Sequence, residues 1–274
     1  MLTVLIAILL GVVEGVTEFI PVSSTGHMIL TSKLLGIDEQ SELLKTFEIV
    51  IQLGAIIAIT VVYWQRILGL LGLSSETVQK GLTPQKRMNV LHIGLGIAPA
   101  LLVAFVAKDF IKTLFSAYTV LFALIVGGIF MWAAEWYSSR RKPEAQSVDD
   151  ITYKQALLIG LYQIIAVLWP GFSRSGSTIS GGLLSGVSYR ASADFSFIIA
   201  IPIMMIATGY EIINNIHMFS LDVVGLFALG FIVAFMVAYA VVVTFLKHIQ
   251  RVRLKHFAIY RFIVAGLFWF FIME

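Results

Sequence analysis

The sequence contains no cysteine, which excludes disulfides, thiolate metal sites and a thiol nucleophile together. Charge is scarce as well: Asp, Glu, Lys and Arg make up 13% of the 274 residues, against 59% hydrophobic. So few polar side chains cannot cover a water-soluble surface, and a soluble enzyme is excluded. No Lys or Arg precedes Lys33, and Glu14 interrupts the first apolar run. The N-terminus therefore lacks the basic region of a cleaved signal peptide and reads as mature structure. There is no dinucleotide fingerprint, phosphate-binding P-loop or His-Glu-x-x-His zinc motif. No loop carries a basic cluster interleaved with aromatics, so nucleic acid is not an expected partner.

What is present is a series of apolar runs of membrane-spanning length, with a mean hydropathy of +0.93. Uninterrupted windows fall at 46–64, 90–107, 117–137, 193–213, 222–246 and 257–273. Two further apolar stretches are broken. Residues 2–37 carry Glu14, Glu18, Pro21 and the polar run Ser23-Ser24-Thr25-Gly26-His27, and 155–186 carry Pro170, Gly171 and Ser173-Arg174-Ser175-Gly176-Ser177-Thr178. Proline removes a backbone donor and turns its predecessor away from helical angles, so each run should stop near its proline and restart with a Ser cap. Non-helical backbone survives at membrane depth only inside protein or beside a watery cavity. The expected fold is an all-α polytopic membrane protein of six transmembrane helices plus two re-entrant helical hairpins.

Charge and repetition orient this layout. The loops that include Arg66 to Arg87, Arg140 to Lys154, Arg190 and Lys247 to Lys255 fall on one side and hold most of the Lys and Arg. The other side holds Lys33, Lys45, Lys108 and Lys112. The positive-inside rule places the first group in the cytoplasm and both termini outside. Gly11, Glu14 and Pro21 match Gly160, Gln163 and Pro170 at an offset of 149, and one inserted residue later Ser23 and Gly26 match Ser173 and Gly176. Residues 1–137 and 155–274 then form an inverted-topology repeat within one integral membrane domain spanning 1–274, its broken helices meeting near the midplane.

Glu14 and Glu18 lie on one helical face within apolar sequence. Such a pair shares a proton, pairs with Arg, or holds a divalent cation, Mg²⁺ or Ca²⁺, unless both acids sit at the interface. In the first polar run the half-helix start is a ready anion site, with Ser23, Ser24 and Thr25 as donors. Ser23 or Ser24 is a candidate nucleophile and His27 its base or acid; the plain alternatives are N-caps and a hydrogen-bonded core histidine. In the second run Arg174 at membrane depth requires an anion, a phosphate or one of the glutamates, and Ser173, Ser175, Ser177 and Thr178 add donors. Two half-helix N-termini aimed at one point suit a diphosphate. Glu48 and Gln52 share a helix face as a possible outer layer, and Arg261 reads as snorkelling to the cytoplasmic surface. Gly94, Gly96, Gly127 and Gly128 offer small faces for close helix contact, as in a homodimer.

At these residues the sequence resembles the bacitracin-resistance type undecaprenyl-diphosphate phosphatases of bacterial membranes. Their two signatures, Glu/Gln-xxx-Glu and PGxSRSxxT, appear as Glu14 to Glu18 and Pro170 to Thr178, and the similarity runs from about residue 4 to 272. The resemblance implies hydrolysis of the polyprenyl diphosphate lipid to undecaprenyl phosphate and inorganic phosphate, with a divalent cation, in the bacterial plasma membrane. It implies importance for Glu14, Glu18, Ser24, His27, Ser173, Arg174 and Thr178. The site is expected to open extracytoplasmically. The rival reading is a transporter or flippase of a polyprenyl phosphate, because inverted repeats with broken helices are also transporter anatomy.

Overall fold

A computed structural model describes residues 2–38, 41–73, 88–114, 116–216, 219, 221–249 and 251–272. Lys80, Lys86 and Arg87, part of the charge asymmetry, lie outside the described residues, as does the side chain of Lys112. The described residues form the α-helices α1 (Val4–Thr17), α2 (Ser24–Leu34), α3 (Glu42–Val62), α4 (Trp64–Leu70), α5 (Val90–Val106), α6 (Lys108–Thr113), α7 (Ala117–Ser138), α8 (Tyr153–Leu168), α9 (Arg174–Leu184), α10 (Tyr189–Asn214), α11 (Leu221–His248) and α12 (Leu254–Ile272). Among the described residues the only β pairing is an isolated bridge between Ala145 and Val187.

Five helices, α3, α7, α10, α11 and α12, are long and apolar enough to cross a membrane, and the protein is a polytopic membrane protein. Local capping as well as hydrophobicity sets the starts of α7 and α10. Ser116 Oγ accepts from Thr119 N–H at 3.2 Å and Ser188 Oγ from Ala191 N–H at 3.3 Å. Thr152 and Gln155 form a reciprocal capping box at the start of α8. His92, at the start of α5, is buried. It closes a capping box with Asn89 and stacks on Tyr153.

The two broken stretches fold as paired short helices, α1 with α2 and α8 with α9. At 14 and 16 residues, α1 and α8 reach only about 21 and 24 Å, short of a hydrocarbon core of about 30 Å. Both breaks fall at the prolines: α1 ends at Thr17 and α2 starts at Ser24, while α8 ends at Leu168 and α9 starts at Arg174. Contacts run crosswise: α1 packs on α11 and α8 on α5, while α2 meets α12 and α9 meets α7.

Glycine makes these approaches possible. A Cβ on Gly11 would stand 2.9 Å from Gly230 O, and one on the matching Gly160 would stand 2.6 Å from Leu95 O. Gly96, Gly127 and Gly128 are likewise occupied by contacts within the chain, whereas Gly94 faces open space. Gly160→Val is therefore expected to lower the thermal midpoint in detergent, at a cost of about 1–3 kcal/mol for overpacking. Gly94→Val, with nothing near it, should leave that midpoint within error.

Candidate active site

Both hairpins turn through the same unusual backbone. Ser23 has φ 76° and Ser173 φ 78°, the only described non-glycine residues with positive φ. Each is an N-cap whose Oγ accepts from an amide three residues on, Gly26 N–H at 3.2 Å and Gly176 N–H at 3.1 Å. A side chain in this region costs about 1–3 kcal/mol and persists where its surroundings over-determine it. The turns deliver the N-termini of α2 and α9, with their unpaired amides and positive dipole ends, to one cavity.

That cavity has a volume of about 220 Å³ and is lined by Glu18, Ser23, Ser24, Thr25, Gln52, Ser173 and Arg174, with Ala166, Val167, Pro170, Gly171 and Met204. At ~30 Å³ per water it holds roughly seven waters' worth of space. That suits a diphosphate head group and not a polyprenyl chain. A larger groove of about 700 Å³, between α7 and α8, is almost wholly apolar and lies on the far face of α8 from the polar cavity.

Glu18 joins the two hairpins. Its Oε2 accepts from Ser24 Oγ–H at 2.7 Å, and its Oε1 faces Arg174 Nη2 at 3.5 Å. Arg174 also donates through Nη1 to Ser196 O at 3.3 Å, which leaves Nε buried and without a protein partner. Glu14 lies buried behind Glu18. It interacts with the carboxyls of Glu18 and Glu48, and its Oε1 has no hydrogen-bond partner. An unpartnered carboxylate oxygen in an all-oxygen cluster fits a hard divalent cation, which binds through one or two carboxylates and completes its shell with water and phosphate oxygens. No compact group of three or more His, Cys, Asp or Glu metal ligands occurs among the described residues, so a cation held by Glu14 and Glu18 would need further oxygens from substrate or water.

A profile of the family described as bacitracin resistance protein BacA matches residues 7–267 of the chain. The chain belongs to this family. The protein is therefore an undecaprenyl-pyrophosphate phosphatase of the bacitracin-resistance type, and the transporter reading falls behind it.

In the phosphatase the anticipated residues divide into those at the cavity and those behind it. Glu18, Ser23, Ser24, Thr25, Ser173 and Arg174 line it. His27 does not. Its Nδ1–H donates to Ser23 O at 2.7 Å, and in the neutral ring Nε2 accepts from Tyr260 O–H at 2.8 Å. The group hydrogen-bonded to Ser24 is thus Glu18. Ser175 is buried with its Oγ 3.2 Å from that of Ser173, and Thr178 Oγ1 lies 2.6 Å from Ser196 Oγ.

Three participants were not singled out from sequence as cavity or hairpin residues. Thr208 Oγ1–H donates to Gln52 Oε1 at 3.2 Å, which leaves the Gln52 amide NH₂ for the cavity. Ser196 anchors both Arg174 and Thr178. Arg261, expected to snorkel, is fully buried and donates to main-chain carbonyls. Gln52 had been visible as a polar residue on an apolar helix; Ser196 and Arg261 act largely through main-chain oxygens, which leave no mark in a sequence. Ser173→Ala, which removes the cap but keeps the turn, should cost about 1 kcal/mol of stability. Ser173→Val, β-branched at φ 78°, should cost more, as read from the thermal midpoints of the two proteins.

Proposed function

We propose that the phosphatase cleaves the terminal phosphate of undecaprenyl diphosphate in the cavity between the two hairpins, with Ser24 or a water positioned by it as nucleophile. The observation that carries this is the chain Ser24 Oγ–Glu18–Arg174, one acid bonded both to a candidate nucleophile and to a phosphate-binding guanidinium. Arg174 and the amides at the starts of α2 and α9 hold the phosphates, with Ser23, Thr25, Ser173 and the Gln52 amide as further donors. Ser175 and Thr178 support that hairpin from behind.

In the covalent route Ser24 Oγ forms a bond to the terminal phosphorus and the bridging P–O bond breaks. Undecaprenyl phosphate leaves with the bridging oxygen, and Glu18 takes the Ser24 proton. Glu18 passes that proton to the departing phosphate or to solvent. Water then attacks the phosphoserine, Glu18 accepts the water proton and returns it to Ser24 Oγ as the serine–phosphorus bond breaks, and inorganic phosphate departs. His27, held between Ser23 O and Tyr260, acts as the proton relay only if its ring turns toward the cavity on substrate binding. A divalent cation bound by Glu14 and Glu18 would neutralise charge on the phosphate oxygens.

The same reading extends to the membrane. The pairs α1–α2 and α8–α9 are re-entrant hairpins, and α3, α5, α7, α10, α11 and α12 are six crossings. Residues 1–137 and 155–274 are inverted repeats in one domain. The matched φ of Ser23 and Ser173, the matched close contacts of Gly11 and Gly160, and the crosswise packing of each hairpin on the other half support it. The first hairpin then opens to the extracytoplasmic side, with the isoprenoid lying laterally among apolar helices.

Three experiments test this. Phosphate release by detergent-purified protein should fall at least about 100-fold on chelation with EDTA and return with Mg²⁺ or Ca²⁺; full activity in EDTA would remove the cation. Quenched turnover should trap phosphate on Ser24, whereas hydrolysis persisting in Ser24→Ala would assign the attack to water. Because the chain lacks cysteine, Lys33→Cys gives a single labelling site. An impermeant thiol reagent should label it in intact cells, and labelling only after permeabilisation would invert the orientation.

A further inference from the structure

Arg261 lies in the middle of α12 with no exposed surface. Every N–H of its guanidinium has an acceptor. Nε donates to Leu124 O at 3.1 Å, and Nη2 to Ala123 O at 2.8 Å and to Gly171 O at 3.1 Å. Nη1 donates to Phe172 O at 2.8 Å and points at Met131 Sδ at 3.9 Å. A desolvated guanidinium is costly, several kcal/mol even after relaxation, so a residue that serves packing alone is poorly explained by it.

What separates these acceptors is their location. Ala123 and Leu124 belong to α7, while Gly171 and Phe172 form the turn of the second hairpin, immediately before Ser173 and Arg174. The cavity draws its lining from the hairpins, α3 and α10, and takes none from α7 or α12. Arg261 therefore grips the turn from the side away from the cavity. No described peptide bond is cis, and a planar trans peptide points its C=O and its N–H in opposite directions. A Phe172 carbonyl held toward Arg261 directs the Ser173 N–H toward the cavity side. Ser173 itself sits at φ 78°, a conformation that persists only when its neighbours impose it.

We infer that Arg261 is a positioning residue for the phosphatase reaction. It pins the Gly171 and Phe172 carbonyls to α7, holds Ser173 in its strained turn, and so fixes the Ser173 amide and the Arg174 side chain in the geometry that receives the diphosphate. The five-donor planar fork bridges two elements at once, which a lysine ammonium with three donors on one atom cannot do. The same turn of α12 reaches the other hairpin as well, through Tyr260 O–H to His27 Nε2 at 2.8 Å. This inference rests on the proposal that Arg174 and the hairpin amides bind the phosphates.

Arg261→Lys and Gly127→Ala test it together. Gly127 is where α7 lies against both the guanidinium and Phe172 O, and a Cβ there would overlap the guanidinium. The alanine thus pushes on the guanidinium and the Phe172 carbonyl together, displacing the clamp while keeping the Arg261 side chain and a good helix former in α7. Wild-type phosphate release, measured alongside, reports on the phosphatase assignment independently of either variant. In protein with a monodisperse elution profile, kcat is expected to fall about 100-fold for Arg261→Lys and at least about 10-fold for Gly127→Ala, the scale of a misplaced reacting group. KM should stay within about threefold, because burial of a long lipid chain contributes to binding independently of the hairpin amides. Folded variants with kcat within threefold of an active wild type would overturn the inference. So would loss of folded protein in both variants with wild-type kcat in the fraction that survives, since Arg261 would then serve the scaffold alone.

Discussion

An unpaired backbone group or bare charge inside an apolar bundle costs several kcal/mol, and this phosphatase interrupts two of its apolar helical stretches. Pro21 and Pro170 end α1 and α8, and the chain must find partners for what each interruption leaves open. Ser23 and Ser173 do so by the same device, a positive φ that lets the serine oxygen cap its own helix two or three residues after the proline. The remaining amides at those helix starts stay free on one side. On the proposed reading they receive the substrate's phosphates, since no partner among the described residues takes them.

The ionised groups are arranged by the same constraint. Glu18 is bonded to Ser24 and Arg174 rather than left bare, so the carboxylate, nucleophile candidate and phosphate-binding cation stabilise one another before substrate arrives. Arg174 keeps Nε unpaired and Glu14 keeps Oε1 unpaired. On the proposed mechanism the first would meet a phosphate oxygen and the second, behind Glu18, a cation. The second hairpin gains its rigidity from Arg261, and its Trp169 ring N–H is tied to Thr119 O at 2.9 Å.

Much of this was legible beforehand because membrane insertion writes itself into composition. Apolar runs placed the long helices, and Pro21 and Pro170 placed the breaks. The polar residues within them had to be explained chemically, since lipid gives no other use for Glu14, Glu18 or Arg174. The less legible part lies in long-range pairing. His27 looked like the partner of Ser24, three residues away, yet its ring is held by Ser23 O and by Tyr260, 233 positions on. Arg261 looked free to snorkel because its acceptors are carbonyls, which every residue carries. Gln52 gains its orientation from Thr208, and nothing in the spacing of the two predicts that contact.

The central claim is that Glu18 and Arg174, from opposite hairpins, make one phosphatase centre. Phosphate release from undecaprenyl diphosphate by folded, detergent-purified Glu18→Ala and Arg174→Ala proteins tests it most directly. Each substitution alone should reduce release by at least about 100-fold, and the double variant should be little worse than either, as expected of groups that act as a unit. Two single variants that retain near wild-type release, or losses that multiply as for independent sites, would contradict a shared centre between the hairpins.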